Sequence, residues 1–233
     1  MRKGDNRRRA ILDAAENLFY AHGFESTSVQ DIIDALGFSK GGFYHHFESK
    51  LALLEAICED RAQQSFDLAE AAVDQCEGNA ADKLNAFFQK ASMLQAGSTD
   101  FISLLVRVAY RDDGALMRER MKQRQLSLTL PLMDKIVREG LTEGTFFTPF
   151  PAPMGELVLR LGMQLTDEIA FLLATDKPGE EALVIIFEKL KLYRHSVETL
   201  LFAPYGSIVI FHLSQMEAVC RGVLKEGQTA ARC

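Results

Sequence analysis

Side chains that bind phosphate oxygens and base edges are concentrated between residues 26 and 50 of this 233-residue chain. Ser28, with Asp31 three residues later, is typical of a helix N-cap, and Gly37 suits the left-handed position at which that helix ends. Ser39 can cap a second helix after about three intervening residues, which is the spacing of a helix-turn-helix. In that motif the second helix enters the major groove of DNA. The candidate DNA-binding residues are Ser28, Gln30, Ser39, Lys40, Gly41, Gly42, Tyr44, His45, His46 and Lys50.

Two adjacent glycines are unusual inside this second helix. Gly41 and Gly42 each cost about 1 kcal/mol relative to alanine in a helix interior. Close approach of the helix to a phosphate backbone would explain them, since a residue without a side chain leaves its N–H group open. Tight packing on the preceding helix is the alternative. Phe43 and Phe47, four residues apart, are expected to face the core, which leaves their polar neighbours available to DNA.

The distribution of positive charge is compatible with DNA binding. Lys50 follows the expected N-cap Ser49, where the helix dipole disfavours a cation, so a nearby phosphate is predicted and a solvated surface lysine is the alternative. The net charge of −6 arises outside residues 1–50, which carry seven Lys/Arg and seven Asp/Glu. A basic arm at the N-terminus is predicted either to follow phosphates or to be merely solvated. The arm contains Arg2, Lys3, Arg7, Arg8 and Arg9.

The composition, 48% hydrophobic and 25% charged, is that of a globular protein with a sizeable core. No apolar run reaches the roughly 20 residues of a membrane span, and the basic N-terminus lacks an apolar signal region, so we expect a cytoplasmic protein. The four cysteines, Cys58, Cys76, Cys220 and Cys233, show no CxxC spacing and predict neither disulfides nor a zinc site. A redox sensor is the alternative. Adjacent histidines make a poor joint metal site, and no cofactor is predicted.

Helical periodicity throughout the chain predicts an all-α fold. A three-helix unit in residues 1–50 would be joined by a long helix to a helical bundle in residues 51–233. The long helix is expected from Ser49 to Gly78, and at about 1.5 Å per residue it is long enough to bridge the two parts. Further helices are expected around 79–96, 99–112 and 113–140, then at 154–175, 179–202 and 207–226, with a kink at Pro131.

Residues 8 to 57 resemble the tetracycline-repressor (TetR) family of bacterial regulators. The resemblance is carried by Ala14-Ala15, Leu18-Phe19, Gly23-Phe24, Thr27-Ser28-Val29, Asp31-Ile32, the run from Leu36 to Phe47, Lys50 and Leu53-Leu54. It implies a transcriptional regulator that binds double-stranded DNA at a pseudo-palindromic operator as a homodimer. It further implies a repressor that an unidentified small-molecule effector releases from DNA.

The same resemblance implies where the subunits would meet. The helices at 154–175 and 179–202 would pack against their symmetry mates as a four-helix interface, and Gly162 would permit close approach. Simple core packing is the alternative. The apolar stripes of the two helices are Leu157, Leu161, Leu165, Ile169 and Leu172, and Leu183, Phe187, Leu190, Val197 and Leu201.

An effector cavity among the remaining helices is the second implication of the resemblance. Arg107 and Arg111, one helical turn apart, are predicted to bind an anionic group of the ligand, and a solvated or salt-bridged face is the alternative for each. A ligand beside Phe66, Ala69 or Val73 would tilt the long helix and displace the DNA-reading helix. The candidate ligand-binding residues are Phe66, Ala69, Phe101, Leu105, Arg107, Arg111, Met117 and Met121.

Three other functions compete with this hypothesis. An enzyme is disfavoured because the glycines near residue 41 lack a preceding strand and the Walker spacing, and no nucleophile–base signature or HExxH motif occurs. A purely helical interaction protein would not explain Lys50 or the paired glycines. A ligand-independent regulator or activator shares the DNA-binding motif and differs only in lacking an effector.

Overall fold

A computed structural model describes residues 3–91, 99–110, 114–174, 179–211, 217–218 and 220–222. Most of these described residues are helical and none of them lies in a strand, which confirms the predicted all-α fold. The helices are α1 (Lys3–His22), α2 (Val29–Leu36), α3 (Lys40–Tyr44), α4 (Lys50–Asp74), α5 (Ala80–Ala91), α6 (Thr99–Ala109), α7 (Ala115–Glu143), α8 (Pro151–Ala174) and α9 (Gly179–Leu201). Helix α7 continues through Pro131 and ends at Gly144, four residues later than the sequence suggests.

Helices α1 to α3 pack around one apolar core with the start of α4. Phe19, Ile32 and Phe43 are almost completely buried in it, because each lies on the apolar side of its helix. Thr27 is also buried, and its hydroxyl donates to the carbonyl of Gly23 at 2.8 Å. The turn between α1 and α2 is therefore fixed by a side chain as well as by packing.

Helix α4 belongs to two cores. Leu53, Leu54 and Ile57 lie in the core of the N-terminal unit, whereas Ala69 and Val73 lie in a second core formed with α5, α7 and α9. Its 25 residues correspond to about 38 Å, which spans both units. The long helix is thus a shared structural element.

Helix α6 extends the N-terminal core beyond residue 50. Phe101, Leu104 and Val108 belong to the cluster built by α1 to α4, and Met117 at the start of α7 joins them. Ile102 and Val106 are buried instead against α8 and α9. The two faces of α6 therefore contact different halves of the molecule.

Helices α8 and α9 form an antiparallel hairpin. The Tyr193 hydroxyl donates to the carbonyl of Val158 at 3.0 Å, and Lys189 forms an ion pair with Glu168, which together set the register. A Cβ atom added at Gly162 would lie 2.6 Å from the Tyr193 hydroxyl oxygen, so this glycine permits approach of α9 within the chain. No role in an approach between subunits is needed to explain it.

Much of the predicted interface stripe is buried within the subunit itself. Ile169 on α8 and Leu183, Leu190 and Val197 on α9 are buried in the subunit's own cores. The strongest apolar stripe of each helix is therefore its core-facing stripe, as the core-packing alternative required. The outward face carries exposed apolar residues, of which Leu157 and Leu161 belong to the predicted stripe and Phe171, Val184 and Leu192 do not.

The helix predicted over 207–226 is wrong at its start. Residues 207–211 are not helical, and described helical residues occur only at 217–218 and 220–222. Asn85 accepts a hydrogen bond from the Val209 N–H at 2.7 Å and donates to the Ser207 carbonyl at 3.0 Å. The Glu198 carboxylate accepts from the N–H groups of Gly206 and Ile208. Distant side chains thus bind the backbone groups that a helix would use. We call residues 203–211 the C-terminal strap.

Candidate DNA-binding interface and ligand cavity

The helix-turn-helix is built from three side-chain caps. The Ser28 hydroxyl accepts from the Asp31 N–H at 3.1 Å, and the Asp31 carboxylate accepts from the Ser28 N–H at 2.7 Å, which forms a capping box. These bonds lower the pKa of Asp31 below its ordinary value. Gly37 then ends α2 at φ 64°, a conformation that favours glycine. Ser39 caps α3 by accepting from the Gly42 N–H at 3.2 Å.

Helix α3 presents a polar surface to solvent. Phe43 and Phe47 are buried, as the sequence predicts, and Tyr44 is 53% exposed. Lys40 and His45 are exposed and His46 is half-buried. On α2, the exposed Gln30 donates to the Asp34 carboxylate at 2.7 Å and stands beside the same surface.

The paired glycines of α3 have no steric cause within the chain at Gly41. A Cβ atom added there would meet nothing within 4 Å, whereas one at Gly42 would lie 3.3 Å from the Ser39 hydroxyl oxygen. Packing on the preceding helix therefore does not account for Gly41. Close approach of an external surface to this backbone stays a prediction.

The Lys50 ammonium group has partners inside the protein. It donates to the carbonyl of Phe24 at 2.5 Å and of Glu25 at 3.4 Å, and lies 4.3 Å from the centre of the Phe24 ring. These contacts tie the start of α4 to the turn after α1 and explain a cation in the first turn of a helix. A phosphate contact of Lys50 stays a prediction, which one remaining ammonium hydrogen allows.

The basic arm forms the first turns of α1. The Arg7 and Arg8 guanidinium groups lie 5.8 Å and 5.4 Å from the ring centres of Phe38 and Phe47. Both arginine residues are exposed, so their charges border the helix-turn-helix surface. Arg9 instead pairs with Asp13 and Asp60. Arg2 and the side chain of Lys3 lie outside the described part of the chain.

A cavity of about 220 Å³ lies between α5, α6, α7, α8 and α9, with the end of the C-terminal strap on one side. It is lined by Phe87, Phe88, Ala91, Phe101, Ile102, Leu105, Val106, Tyr110, Gln125, Thr129, Leu159, Gly162, Met163, Leu165, Thr166, Ile169, Ala170, Leu173, Leu190, Tyr193, Ile210 and Phe211. None of these described residues is charged. The cavity is therefore suited to an apolar molecule.

Most polar groups in the cavity wall already donate to the protein. The Tyr110 hydroxyl donates to the Asp167 carboxylate at 2.7 Å, and the same carboxylate pairs with Lys122. Burial and this bond raise the pKa of Tyr110. Thr129 and Thr166 donate to backbone carbonyls of their own helices. The side-chain amide of Gln125 has no hydrogen-bonding partner among the described residues.

The predicted ligand residues divide into two groups. Phe101 and Leu105 line the cavity. Ala69 and Phe66 pack in the core between α4, α5 and α7, and Met117 and Met121 pack with the N-terminal core. These four do not line it, because their apolar stripes are core stripes. A wedge beside Ala69 or Val73 would therefore enter a packed core and not this cavity.

One of the two predicted anion-binding arginines lies away from the cavity. Arg107 is exposed and does not line it, in agreement with the solvated alternative. Arg111 lies outside the described residues. No pattern in the sequence marks Gln125 or the lining residues of α8 as part of a cavity, because their meeting depends on tertiary packing.

Arg61 on α4 connects the cavity wall to the DNA-binding unit. Its guanidinium group donates to the Glu16 carboxylate of α1 and, at 2.9 Å, to the Tyr20 hydroxyl. It also lies 4.4 Å from the centre of the Phe101 ring, which lines the cavity. Three helices therefore meet at one side chain.

The described cysteines offer little redox chemistry. Cys58 and Cys220 are buried free thiols, and burial raises the pKa of Cys58 to about 12 and that of Cys220 to about 11. Such thiols are poorly nucleophilic. Within the described residues no cluster of metal-ligating side chains occurs. None of the described helices has the length and apolar character needed to cross a membrane.

Comparison with known proteins places the N-terminal unit in a family. The model described as bacterial regulatory proteins, tetR family, matches residues 11–57. The HTH-type transcriptional repressor KstR2 of Rhodococcus jostii is 45% identical over 51 residues, or 22% of this chain and 25% of that protein. KstR2 of Mycolicibacterium smegmatis is 34% identical over 80 residues, covering 31% of this chain and 39% of that protein. The matches thus span less than half the length of these curated relatives.

Solved structures extend the likeness of the fold to most of the chain. A TetR-family transcriptional regulator from Pectobacterium atrosepticum has a TM-score of 0.59 at 19% identity, covering 87% of this chain and 97% of its own. Salmonella enterica GusR has a TM-score of 0.54 at 23% identity, covering 87% and 99%. At these identities the likeness concerns the fold. The N-terminal helix-turn-helix unit is thus similar to that of the TetR family of bacterial regulatory proteins.

Proposed function

We propose that this protein is a DNA-binding transcriptional repressor that binds a pseudo-palindromic operator as a homodimer and is released by a small ligand. The observation that carries the proposal is the exposed polar surface of α3, where Gly41 leaves the backbone open to an external partner. Relatives named as HTH-type transcriptional repressors support it. Similarity to a family of regulators argues against the enzyme alternative.

The proposed DNA contacts follow from what each exposed group can donate. Lys40, His45 and Gln30 carry donors suited to base edges, while the Tyr44 hydroxyl is suited to a phosphate oxygen. Ser28, Ser39 and Gly42 are engaged in caps, so they contribute by positioning α2 and α3. The exposed Arg7 and Arg8 add positive charge next to this surface.

The proposed dimer uses the outward face of the α8–α9 hairpin. Leu157, Leu161 and Phe171 lie on one side of α8 at helical spacing and are 41%, 36% and 61% exposed. Val184 and Leu192 on α9 are 63% and 64% exposed. Contiguous exposed apolar residues of this kind mark protein interfaces, and a two-fold interface matches a two-fold operator. The predicted helices are retained, and of the predicted stripe Leu157 and Leu161 remain contact residues beside Phe171, Val184 and Leu192.

The proposed route of release runs through α6. Phe101 is 1% exposed, packs in the core shared with α1 to α4, and lines the cavity. A ligand that displaces it also disturbs Arg61, which holds Glu16 on α1. Helix α4 keeps its predicted role as a link to α3, but the cavity acts on it from the α6 side. Release requires the ligand to bind the DNA-incompetent arrangement more tightly, and operator must weaken ligand binding by the same factor.

Fluorescence anisotropy with duplex DNA tests the first half of the proposal. An operator is first selected from a random duplex library with the purified protein. Affinity is then expected to fall linearly on logarithmic axes as salt rises, with a slope near −0.9 for each phosphate contacted. Lys40→Ala should cost about 1 to 3 kcal/mol on the selected sequence and change the consensus obtained in a repeated selection.

Two outcomes would overturn the proposal. Absence of an enriched sequence, with binding that shows no salt dependence, would favour a helical interaction protein. An unchanged consensus with Lys40→Ala would remove that residue as a base reader. The exposed Lys135 of α7, which pairs with Asp74, supplies the matched control Lys135→Ala and should leave operator affinity unchanged.

A further inference from the structure

We propose that the cavity binds an uncharged, mainly apolar molecule somewhat larger than benzene, whose single carbonyl or hydroxyl group is hydrogen-bonded by the side-chain amide of Gln125. The proposal rests on the proposed function only in treating this cavity as the effector site. It replaces the anionic ligand that the sequence suggested.

The charge of the ligand follows from the cavity wall. None of the described lining residues carries a charge. Asp167 touches the wall only through the Tyr110 hydroxyl, and it is neutralised by Lys122. An ion transferred from water into such a site without a partner pays a large desolvation cost. A carboxylate or ammonium ligand is therefore disfavoured.

The single polar group follows from an inventory of hydrogen-bond donors. The hydroxyl hydrogens of Tyr110, Tyr193, Thr129 and Thr166 are all donated to protein acceptors. Gln125 keeps two N–H donors and one carbonyl acceptor without a partner among the described residues. It can donate to a ligand carbonyl or accept from a ligand hydroxyl. Leaving a half-buried amide unpaired is unfavourable, so a ligand with a matching group is preferred over a hydrocarbon.

The size of the ligand follows from the volume. The cavity measures about 220 Å³. A dry apolar cavity of about 150 Å³ accommodates benzene. A ring with a short side chain therefore fits, with the aromatic side chains of Phe87, Phe88 and Phe211 around it.

Three probes of one shape separate these claims. Benzylacetone is an uncharged ketone, butylbenzene has the same carbon skeleton without the carbonyl group, and hydrocinnamate replaces the ketone methyl by a carboxylate oxygen. Binding to the full chain without DNA is measured by calorimetry and ligand-observed NMR. Benzylacetone should bind about two- to twelvefold more tightly than butylbenzene, the range expected for one hydrogen bond. Hydrocinnamate should bind at least about a hundredfold more weakly than benzylacetone.

Variants locate the probes and identify the polar contact. Gln125→Leu should weaken benzylacetone to the level of butylbenzene and leave butylbenzene binding unchanged or stronger. Gln123→Leu is the matched control, since Gln123 is exposed on the same helix and bonds to Glu119. Ala170→Leu, which places extra volume in the cavity, should abolish the binding of every probe. Circular dichroism establishes that each variant remains folded.

Each claim has a result that overturns it. Equal binding of hydrocinnamate and benzylacetone removes the uncharged class. A ketone preference that survives in Gln125→Leu removes the role of the amide. Absence of binding by all three probes removes the proposed size and apolar character. Because these measurements use no DNA, a ligand that binds but fails to release operator defeats the release mechanism and leaves the ligand class intact.

Discussion

In the N-terminal unit the side chains proposed to act on the partner are exposed, whereas in the bundle those proposed to bind the ligand are buried. Helix α3 turns Phe43 and Phe47 inward and leaves Lys40 and Tyr44 in solvent. The bundle turns aromatic rings such as Phe87 toward a cavity that its own helices enclose. The first region is proposed to bind a charged polymer at its surface, and the second to bind a small molecule in its interior.

Helix α6 contacts both the N-terminal unit and the ligand cavity, and this shows how the two can be coupled. Its Phe101 lies in the core of the N-terminal unit and also lines the ligand cavity. Filled cores do not deform continuously, so a ligand that displaces such a residue favours an alternative packing. We therefore expect changes in the cavity to be felt at the DNA surface, and operator binding to be felt in the cavity by the same factor.

The largest expected effect comes from the outward face of α8 and α9. Leu161→Glu combined with Leu192→Glu should produce monomers, because both side chains are exposed and are proposed to meet a second copy. Operator affinity should fall by at least about a hundredfold, since each half-site alone supplies too little binding energy. Sedimentation velocity and anisotropy measure the two quantities on the same preparation.

Exposed leucines elsewhere supply the control for the dimer. Leu68 on α4 and Leu116 on α7 are 59% and 62% exposed. The double variant Leu68→Glu with Leu116→Glu introduces the same charge and should leave the oligomeric state unchanged. A dimer that persists with Leu161→Glu and Leu192→Glu places the interface elsewhere, and the exposed Phe147 and Phe202 beyond the end of the hairpin become the next residues to change.

The sequence predicts the helix-turn-helix better than the cavity, because the signals for the helix-turn-helix are local. Caps such as Ser28 with Asp31, and the left-handed Gly37, act within a few residues of one another and were all located correctly. The cavity depends on five helices and the strap, and no short pattern marks Gln125. The apolar stripes are a poor guide to the dimer interface. The strongest stripe of each helix, which includes Leu190 on α9, is buried in the subunit's own core.

The strap illustrates the same limit. Ile208 and Phe211 have helical spacing, which predicts a helix. Asn85 and Glu198, which are distant in sequence, bind the strap backbone instead. Long-range hydrogen bonds of this kind override local propensity and are invisible to periodicity.

A larger side chain in the cavity wall directly tests the coupling between the cavity and operator binding. Ala170→Leu should weaken operator binding about tenfold in the absence of any ligand, within the range usual for coupling between sites. The side chain is buried on the cavity wall and far from α3. Anisotropy with the selected operator measures the effect. Ala69→Leu, in the tight core beside α5, is a contrasting variant that should instead lower thermal stability.

Glycine substitutions on α3 and at the end of α2 should have opposite effects on folding. Gly41→Ala meets no neighbour, so the free energy of unfolding should rise by up to about 1 kcal/mol from helix propensity while operator affinity falls. Gly37→Ala forces alanine into a left-handed conformation at φ 64° and should lower stability by about 1 kcal/mol. Urea denaturation and anisotropy give both values. Unchanged operator affinity with Gly41→Ala would remove the proposed close approach of DNA.

The smallest expected effect is on the pH dependence of stability, and it contrasts Asp31 in the N-terminal unit with Asp134 in the bundle. Hydrogen bonds from the N–H and hydroxyl groups of Ser28 lower the pKa of Asp31, whereas burial beside Gly155 raises the pKa of Asp134. A lowered pKa means that ionised Asp31 stabilises the folded state above pH 3.8, its ordinary pKa, and that this contribution is lost as the pH falls below that value. A raised pKa means that ionised Asp134 opposes folding, so its penalty appears as the pH rises through 3.8 and beyond.

Thermal unfolding of two amide variants between about pH 3 and pH 7 measures this contrast. Asp31→Asn should be less stable than the unsubstituted protein near neutrality, and the difference should shrink in acid, where Asp31 is protonated. Asp134→Asn should be the more stable protein near neutrality, and its advantage should likewise shrink in acid. The two difference curves should therefore have opposite signs and converge toward low pH. Asp31, a capping carboxylate in solvent, gains hydrogen-bonding partners on folding, whereas Asp134, between α7 and α8, loses water. Curves of the same sign would show that Asp134 gains a compensating partner when the protein folds.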